Sequence, residues 1–291
     1  MRLTRPDIVL CLSGVAVTVL LLQPLPVEML RHRPTLAREL TDFCHPLAFA
    51  WLAHLAFQAL RIRQPHPSMR PYLWTLAAAA GYGAATEIIQ SFVGRQASLT
   101  DFINDLLGAA VVLLLHAHAE QRTVGTRRAL AAAAAVLAAV VTAPLAVTLA
   151  AYAHRQVRAP LLWEAESHLF ARLSRYHDDG QQRLMILEPI GDWRSWRYLE
   201  LDITNPLPST HPIIVRVHDR QHDQRHEDRY NGRFDLAPGS QRTLRIPLER
   251  IRTAPAERAL DLGAIGGVVV FSVAEGRGAR FAVSEVRLAG R

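Results

Sequence analysis

Apolar residues form long uncharged runs in the first half of this chain, and after Pro160 they alternate with polar ones; the two patterns require different folds. Five runs approach the length of about 20 residues that a helix needs to cross a bilayer. They cover Ile8–Leu25, Phe43–Leu60, Tyr72–Val93, Phe102–His118 and Leu130–Ala153. The first follows Arg2 and Arg5 like a signal peptide, but its exit, Gln23-Pro-Leu-Pro-Val-Glu, has no small-residue cleavage pattern, so it reads as an anchor.

In the second half, period-two alternation predicts strands at Arg183–Leu187, Tyr198–Thr204, Ile213–Asp219, Gly232–Leu236, Gln241–Pro247, Val268–Ser272 and Arg280–Leu288. Turn signals such as Asn205-Pro-Leu-Pro and Ala237-Pro-Gly-Ser separate them. The expected fold is therefore an α-helical transmembrane bundle of about five spans, then an all-β jelly roll or sandwich. The expected domains are 1–154, a linker at 155–160, and 161–291.

The third and fourth apolar runs carry charged and amide groups, although each ionisable group at a helix centre costs roughly 2.5–3.5 kcal/mol on insertion scales. Gly83, Glu87 and Gln90 share one helix face at i, i+4 and i+7, and Asp101, Asp105 and Gly108 repeat that spacing. A connector of only Gly94–Thr100 makes the two helices antiparallel neighbours. The expected membrane cluster is Glu87, Gln90, Arg95, Asp101, Asn104 and Asp105, with His45 at the end of its own span. Plainer readings exist for two members. Ser98-Leu-Thr-Asp101 is also a capping box, and Arg95 is also an interfacial anchor.

The order Glu87-x-x-Gln90-x-Phe92-x-x-Arg95-x-x-Ser98-x-x-Asp101, ending in Gly108, resembles the signature of the VanZ-like membrane proteins over roughly residues 8–120. Asp105 stands where that family usually has Asn, and Asp42 precedes His45 without the usual lysine. The resemblance implies an envelope protein connected with glycans or lipid-linked intermediates, and with tolerance to glycopeptide antibiotics such as teicoplanin.

In the β half, Asp192-Trp193-x-x-Trp196-x-Tyr198-Leu199, Asp219, Asp228-Arg229-Tyr230 and Ile246-Pro247-Leu248 resemble a carbohydrate-binding module of the galactose-binding-like jelly-roll class. That resemblance implies aromatic platforms from Trp193, Trp196 and Tyr230 and hydrogen bonds from Arg216, Asp219, Asp228 and Arg229. Aromatics on a strand also fill cores, so both roles stay open for each ring. Glu164 and Asp219 additionally offer oxygen donors for Ca2+.

The formal net charge of +7 comes entirely from 33 arginines. They flank apolar runs or intersperse with acids instead of forming a single-sign stripe, which excludes nucleic acid as the expected partner. With the N-terminus cytoplasmic, eight arginines (2, 5, 61, 63, 70, 122, 127 and 128) lie inside and six (31, 33, 38, 95, 155 and 158) outside. Five spans then export the β half from an inner (cytoplasmic) membrane. Cys11 and Cys44 give no disulfide framework, and the two acids with scattered histidines show no metal-ligand spacing, so neither metal nor cofactor is expected. The expected partners are the bilayer and a cell-wall or lipid-linked glycan. The alternatives are an enzyme using Glu87 and Asp105 on a lipid-linked head group, or a non-catalytic scaffold.

Overall fold

The computed structural model describes residues 5–22, 33–64, 66, 68–92, 97–178, 182–189, 191–273 and 281–291. Five long helices come first: α1 (Arg5–Leu22), α2 (Pro34–Arg63), α3 (Arg70–Phe92), α4 (Leu99–Glu120) and α5 (Val124–Val157). Of these, α2, α4 and α5 are long and apolar enough to cross a membrane, and the apolar stretch of α1, Asp7–Leu20, is shorter. The expected Arg95 lies outside the described residues.

The chain divides into two compact units, one of Met1–Arg31 with Leu36–Ala146 and one of His32–Thr35 with Val147–Arg291. In the first unit, two glycines set helix spacing. A Cβ on Gly108 would fall 2.1 Å from the carbonyl oxygen of Pro46, so α4 touches the α2 backbone there. A Cβ on Gly83 would meet Phe102, Asp105 and Phe49 at 3.3–3.4 Å, so α3 and α4 are close-packed at that level. Small residues permit this approach in membrane bundles, where helices pack by van der Waals contact. Asp7 and Arg63 pair at 2.8 and 2.9 Å, tying α1 to α2.

The second unit is an antiparallel sandwich. Its four-stranded sheet has the order β1 (Leu161–Glu164), β9 (Ala282–Ala289), β4 (Tyr198–Thr204) and β7 (Gln241–Pro247). Its five-stranded sheet has the order β2 (Ser174–Asp178), β3 (Gln182–Leu187), β8 (Ile265–Ser272), β5 (His211–Asp219) and β6 (Tyr230–Leu236). Short helices α6 (His168–Arg172) and α7 (Leu248–Arg252) close its ends. Leu184, Ile186, Val215, Val217, Val268 and Val270 face Leu199, Leu201, Ile203, Leu244 and Val286 in one buried core. Alternation along β3 and β5 thus buries one face of the five-stranded sheet and turns the other outward.

Residues 155–160 are not a free linker. Helix α5 continues to Val157, and Arg155 is fully buried, donating to the carbonyls of Leu187, Glu188 and Leu173 at 2.6–3.1 Å. Beside it, the buried Glu188 carboxylate accepts from the Tyr152 hydroxyl and the Thr35 N–H. A guanidinium satisfying three backbone carbonyls explains why a basic residue here belongs to the second unit.

Candidate functional site

Three helices of the first unit bring His45, Glu87 and Asp105 together, all buried, with one donor atom from each within 4.8 Å of the others. His45 precedes Pro46, where α2 touches Gly108, and Asp105 lies one turn before Gly108 on the same face of α4. The contact therefore places His45 Nδ1 3.3 Å from Asp105 Oδ1. Gly83 opens the facing side of α3, one turn before Glu87, and its missing Cβ would sit 3.4 Å from Asp105 Oδ2.

Glu87 Oε2 accepts the Ser98 N–H at 2.5 Å, and Ser98 Oγ caps α4 through the Asp101 N–H at 3.2 Å. Ser98 thus caps α4 through its hydroxyl, but its own N–H goes to Glu87 instead of the Asp101 side chain, so half of the capping box forms, and a carboxylate sits at the positive end of α4. His45 Nε2, Glu87 Oε1 and Asp105 Oδ2 remain buried without hydrogen-bond partners. Buried polar atoms left without partners carry a desolvation cost that a ligand would offset.

Gln90 is buried on the Glu87 face of α3, whereas Asp101 and Asn104 are partly exposed on α4. Sequence spacing shows no metal-ligand pattern, and the three side chains that meet here are spread over three helices. It also missed the pairing of His54 Nδ1 with His116 Nε2 at 3.1 Å, since neither histidine has a nearby partner in the chain.

In the sandwich, the expected ligand residues separate into two groups. Trp193 is fully buried and Tyr230 is 3% exposed, so neither offers a ring face to a sugar. The ring of Tyr230 fills the space left by the absent side chain of Gly232. Trp196 is partly buried, stacked by the Arg291 guanidinium at 5.3 Å, and lines a surface depression of about 410 Å³ with Arg194, Arg197 and Glu249.

Asp219 and Asp228 are occupied by Arg258. It donates to Asp219 at 2.5 and 2.8 Å and to Asp228 at 2.5 and 3.1 Å. Burial pushes Asp219 up, but the Arg258 hydrogen bonds and the Asp261 N–H outweigh it and hold its pKa below the usual carboxylate range. For Asp228 the Arg258 hydrogen bonds dominate outright and lower its pKa further. With a guanidinium already bridging both acids, Asp219 is a structural anion and not a Ca2+ ligand.

Arg216 and Arg229 fall on the outward side of the five-stranded sheet. Strand register sets Arg216 opposite Asn231 and Val269, with Met185 next in the same row; the adjacent row holds Arg183, Phe271, Ile214 and Arg233. Arg216 Nε donates to Asn231 Oδ1 at 3.2 Å, and its guanidinium lies 4.9 Å from the Phe271 ring centre. Burial, then the neighbouring charges of Arg229 and Arg183, lower the Arg216 pKa. Arg229 Nε and His218 Nδ1 are buried there without partners. Gly267 makes room for the His218 ring, whose Cε1 would lie 2.7 Å from a Cβ at that position.

No protein-family model matches the chain, so the VanZ-like resemblance rests on the motif residues alone. Comparison with curated proteins gives no match. Among solved structures, the sandwich is similar to the family 11 carbohydrate-binding module from Clostridium thermocellum in complex with a beta-1,3-1,4-mixed-linked tetrasaccharide. Identity is 21% over 40% of this chain and 73% of that one, with a TM-score of 0.29. It is also similar to the family 11 module of the cellulosomal cellulase Lic26A-Cel5E from the same organism, at 21% identity over 40% and 72% and a TM-score of 0.27. A third likeness is to PfGH50B, at 12% identity over 39% and 19% and a TM-score of 0.27. At such scores the architecture of the β unit rests on its own strand pairing, a nine-stranded antiparallel sandwich among the described residues.

Proposed function

We propose that this is a multi-pass envelope protein whose exported sandwich holds an anionic glycan on the outer face of its five-stranded sheet. One observation carries the reading: Arg183, Arg216 and Arg229 gather on that face around Phe271 and Asn231, with the Arg216 guanidinium 4.9 Å from the Phe271 ring centre. Like charges gathered on one face repel, and an anion relieves that repulsion. Guanidinium forks bind carboxylate or phosphate bidentately, and Phe271 and Asn231 supply an apolar face and an amide.

The arginine distribution supports a cytoplasmic N-terminus and five crossings of the cytoplasmic membrane, with α1 and α3 crossing beside their neighbours. The VanZ-like motif supports a link to envelope glycans, and through them to glycopeptide tolerance. Two measurements on the full chain test the proposal. In sealed cells, added protease should remove residues beyond Val157, and protection of the sandwich would contradict export. Detergent-purified protein should be retarded by phosphate- or uronate-bearing polysaccharide more than by neutral β-glucan, and equal mobility on all of them would contradict glycan binding.

A second reading is favoured by the convergence of His45, Glu87 and Asp105, since two carboxylates and an imidazole in one buried site suit acid–base chemistry on a lipid-linked head group. Turnover that survives Asp105→Asn together with Glu87→Gln would end it.

A further inference from the structure

We infer that His45, Glu87 and Asp105 form a binding site for one divalent transition ion such as Zn2+ or Mn2+. Their donor atoms lie within 4.8 Å of one another, with His45 Nδ1 facing Asp105 Oδ1, and one buried oxygen of each acid, Glu87 Oε1 and Asp105 Oδ2, is without a partner. The 3.3 Å between His45 Nδ1 and Asp105 Oδ1 is long for a hydrogen bond to a carboxylate, which closes to about 2.8 Å. It matches the separation of about 3.4 Å between two ligands held roughly 2.1 Å from a tetrahedral ion.

The charge balances as well. Two carboxylates and a neutral imidazole carry the countercharge of one M2+ ion, whereas two bare buried carboxylates repel. An imidazole among the donors favours Zn2+ or Mn2+ over Ca2+ and Mg2+, which take oxygen ligands. The close contacts at Gly83 and Gly108 hold all three donors on helices that cannot move apart without losing packing. Two supports flank the ligands: Ser98 N–H orients Glu87 through Oε2, and α4 fixes Asp105. With three protein donors the ion keeps an open position for water or an anionic oxygen.

The test uses the full chain purified in detergent, stripped with chelator, incubated with Zn2+ or Mn2+ and desalted. Wild type should retain about one ion per chain and melt at a higher temperature with the ion than without. Asp105→Asn and His45→Gln, if monodisperse, should lose retention by roughly tenfold or more, while Asp223→Asn in the sandwich should not. Wild type that retains no ion and shows no melting shift overturns the site, as does undiminished retention in either folded variant. If both variants aggregate, Co2+ loaded into wild type decides: visible d–d absorption of a low-symmetry nitrogen–oxygen site supports the assignment, and a hexaaqua-like spectrum overturns it.

Discussion

His45 and Asp105, sixty positions apart, meet in the interior of the helical unit with Nδ1 and Oδ1 3.3 Å apart. Neither is there by its own preference, because burying an imidazole and a carboxylate costs free energy unless each finds a partner. What brings them together is the touching of two backbones, Pro46 on α2 and Gly108 on α4. The glycine is therefore as much a part of the site as the two side chains.

Gly108→Ala should accordingly damage the site without touching a polar atom. Its new Cβ would sit 2.1 Å from the Pro46 carbonyl oxygen, which is backbone and cannot swing aside. Overpacking of this kind costs about 1–3 kcal/mol. Thermal unfolding in detergent should show the loss, and Gly81→Ala, with open space at that position, should melt like wild type.

Trp193→Ala and Trp196→Ala should differ sharply although the two lie only three positions apart. Trp193 is fully buried in the sandwich core, so its truncation leaves a cavity costing about 3–5 kcal/mol. Trp196 sits at the core's edge under Arg291, and its loss should shift the melting temperature far less. Equal destabilisation would contradict this assignment of the two rings.

Arg258→Ala should weaken the sandwich more than Arg194→Ala. Removing Arg258 strands the buried Asp219 and its neighbour Asp228, whereas the Arg194–Asp192 pair stands in water, where such pairs contribute little. Both carboxylates have folded pKa values lowered by Arg258, so their contribution is present above the unfolded carboxylate pKa and is lost as pH falls below it. Urea midpoints of the two variants at neutral pH and at pH 3 would check the order.

His218 should give the sandwich a separate acid sensitivity at milder pH. Burial holds its pKa down to about 4, with His222, Arg216 and Arg229 adding repulsion and Asp219 opposing them. The folded state then binds fewer protons than the unfolded one between about pH 4 and 6.5, so this stability is full above 6.5 and falls on acidification toward 4, by about 3 kcal/mol. His218→Asn should flatten the stability profile in that window; an unchanged slope would contradict a buried neutral imidazole.

Long periodic segments were the most legible part of the chain. β4 and β7 span the residues that their alternation predicts, and each long helix contains most of its apolar run. β1 and β2 were not legible for local reasons, since β7 is an edge strand as they are and was legible. β1 is a four-residue apolar run, and β2, Ser174-Arg-Tyr-His-Asp178, is too polar to signal burial. Spacing within one helix revealed the faces of Glu87 and Asp105; His45 was expected beside them from its place at the end of its span, but its contact with Asp105 needs the approach of α2 to α4. The ligand residues of the sandwich were read too broadly for a related reason: Trp193, Tyr230, Asp219 and Asp228 serve packing and an internal ion pair, and local sequence does not distinguish inward from outward.

The glycan-binding account rests on the outer face of the five-stranded sheet. Its most direct measurement is titration of the detergent-solubilised full chain with a phosphate- or uronate-bearing oligosaccharide, comparing wild type with Arg183→Ala/Arg216→Ala and with Trp196→Ala. The account predicts saturable binding that weakens with salt, is lost in the double arginine variant and survives in the tryptophan variant. Binding that persists in a folded Arg183→Ala/Arg216→Ala protein, or that vanishes only with Trp196→Ala, would contradict it.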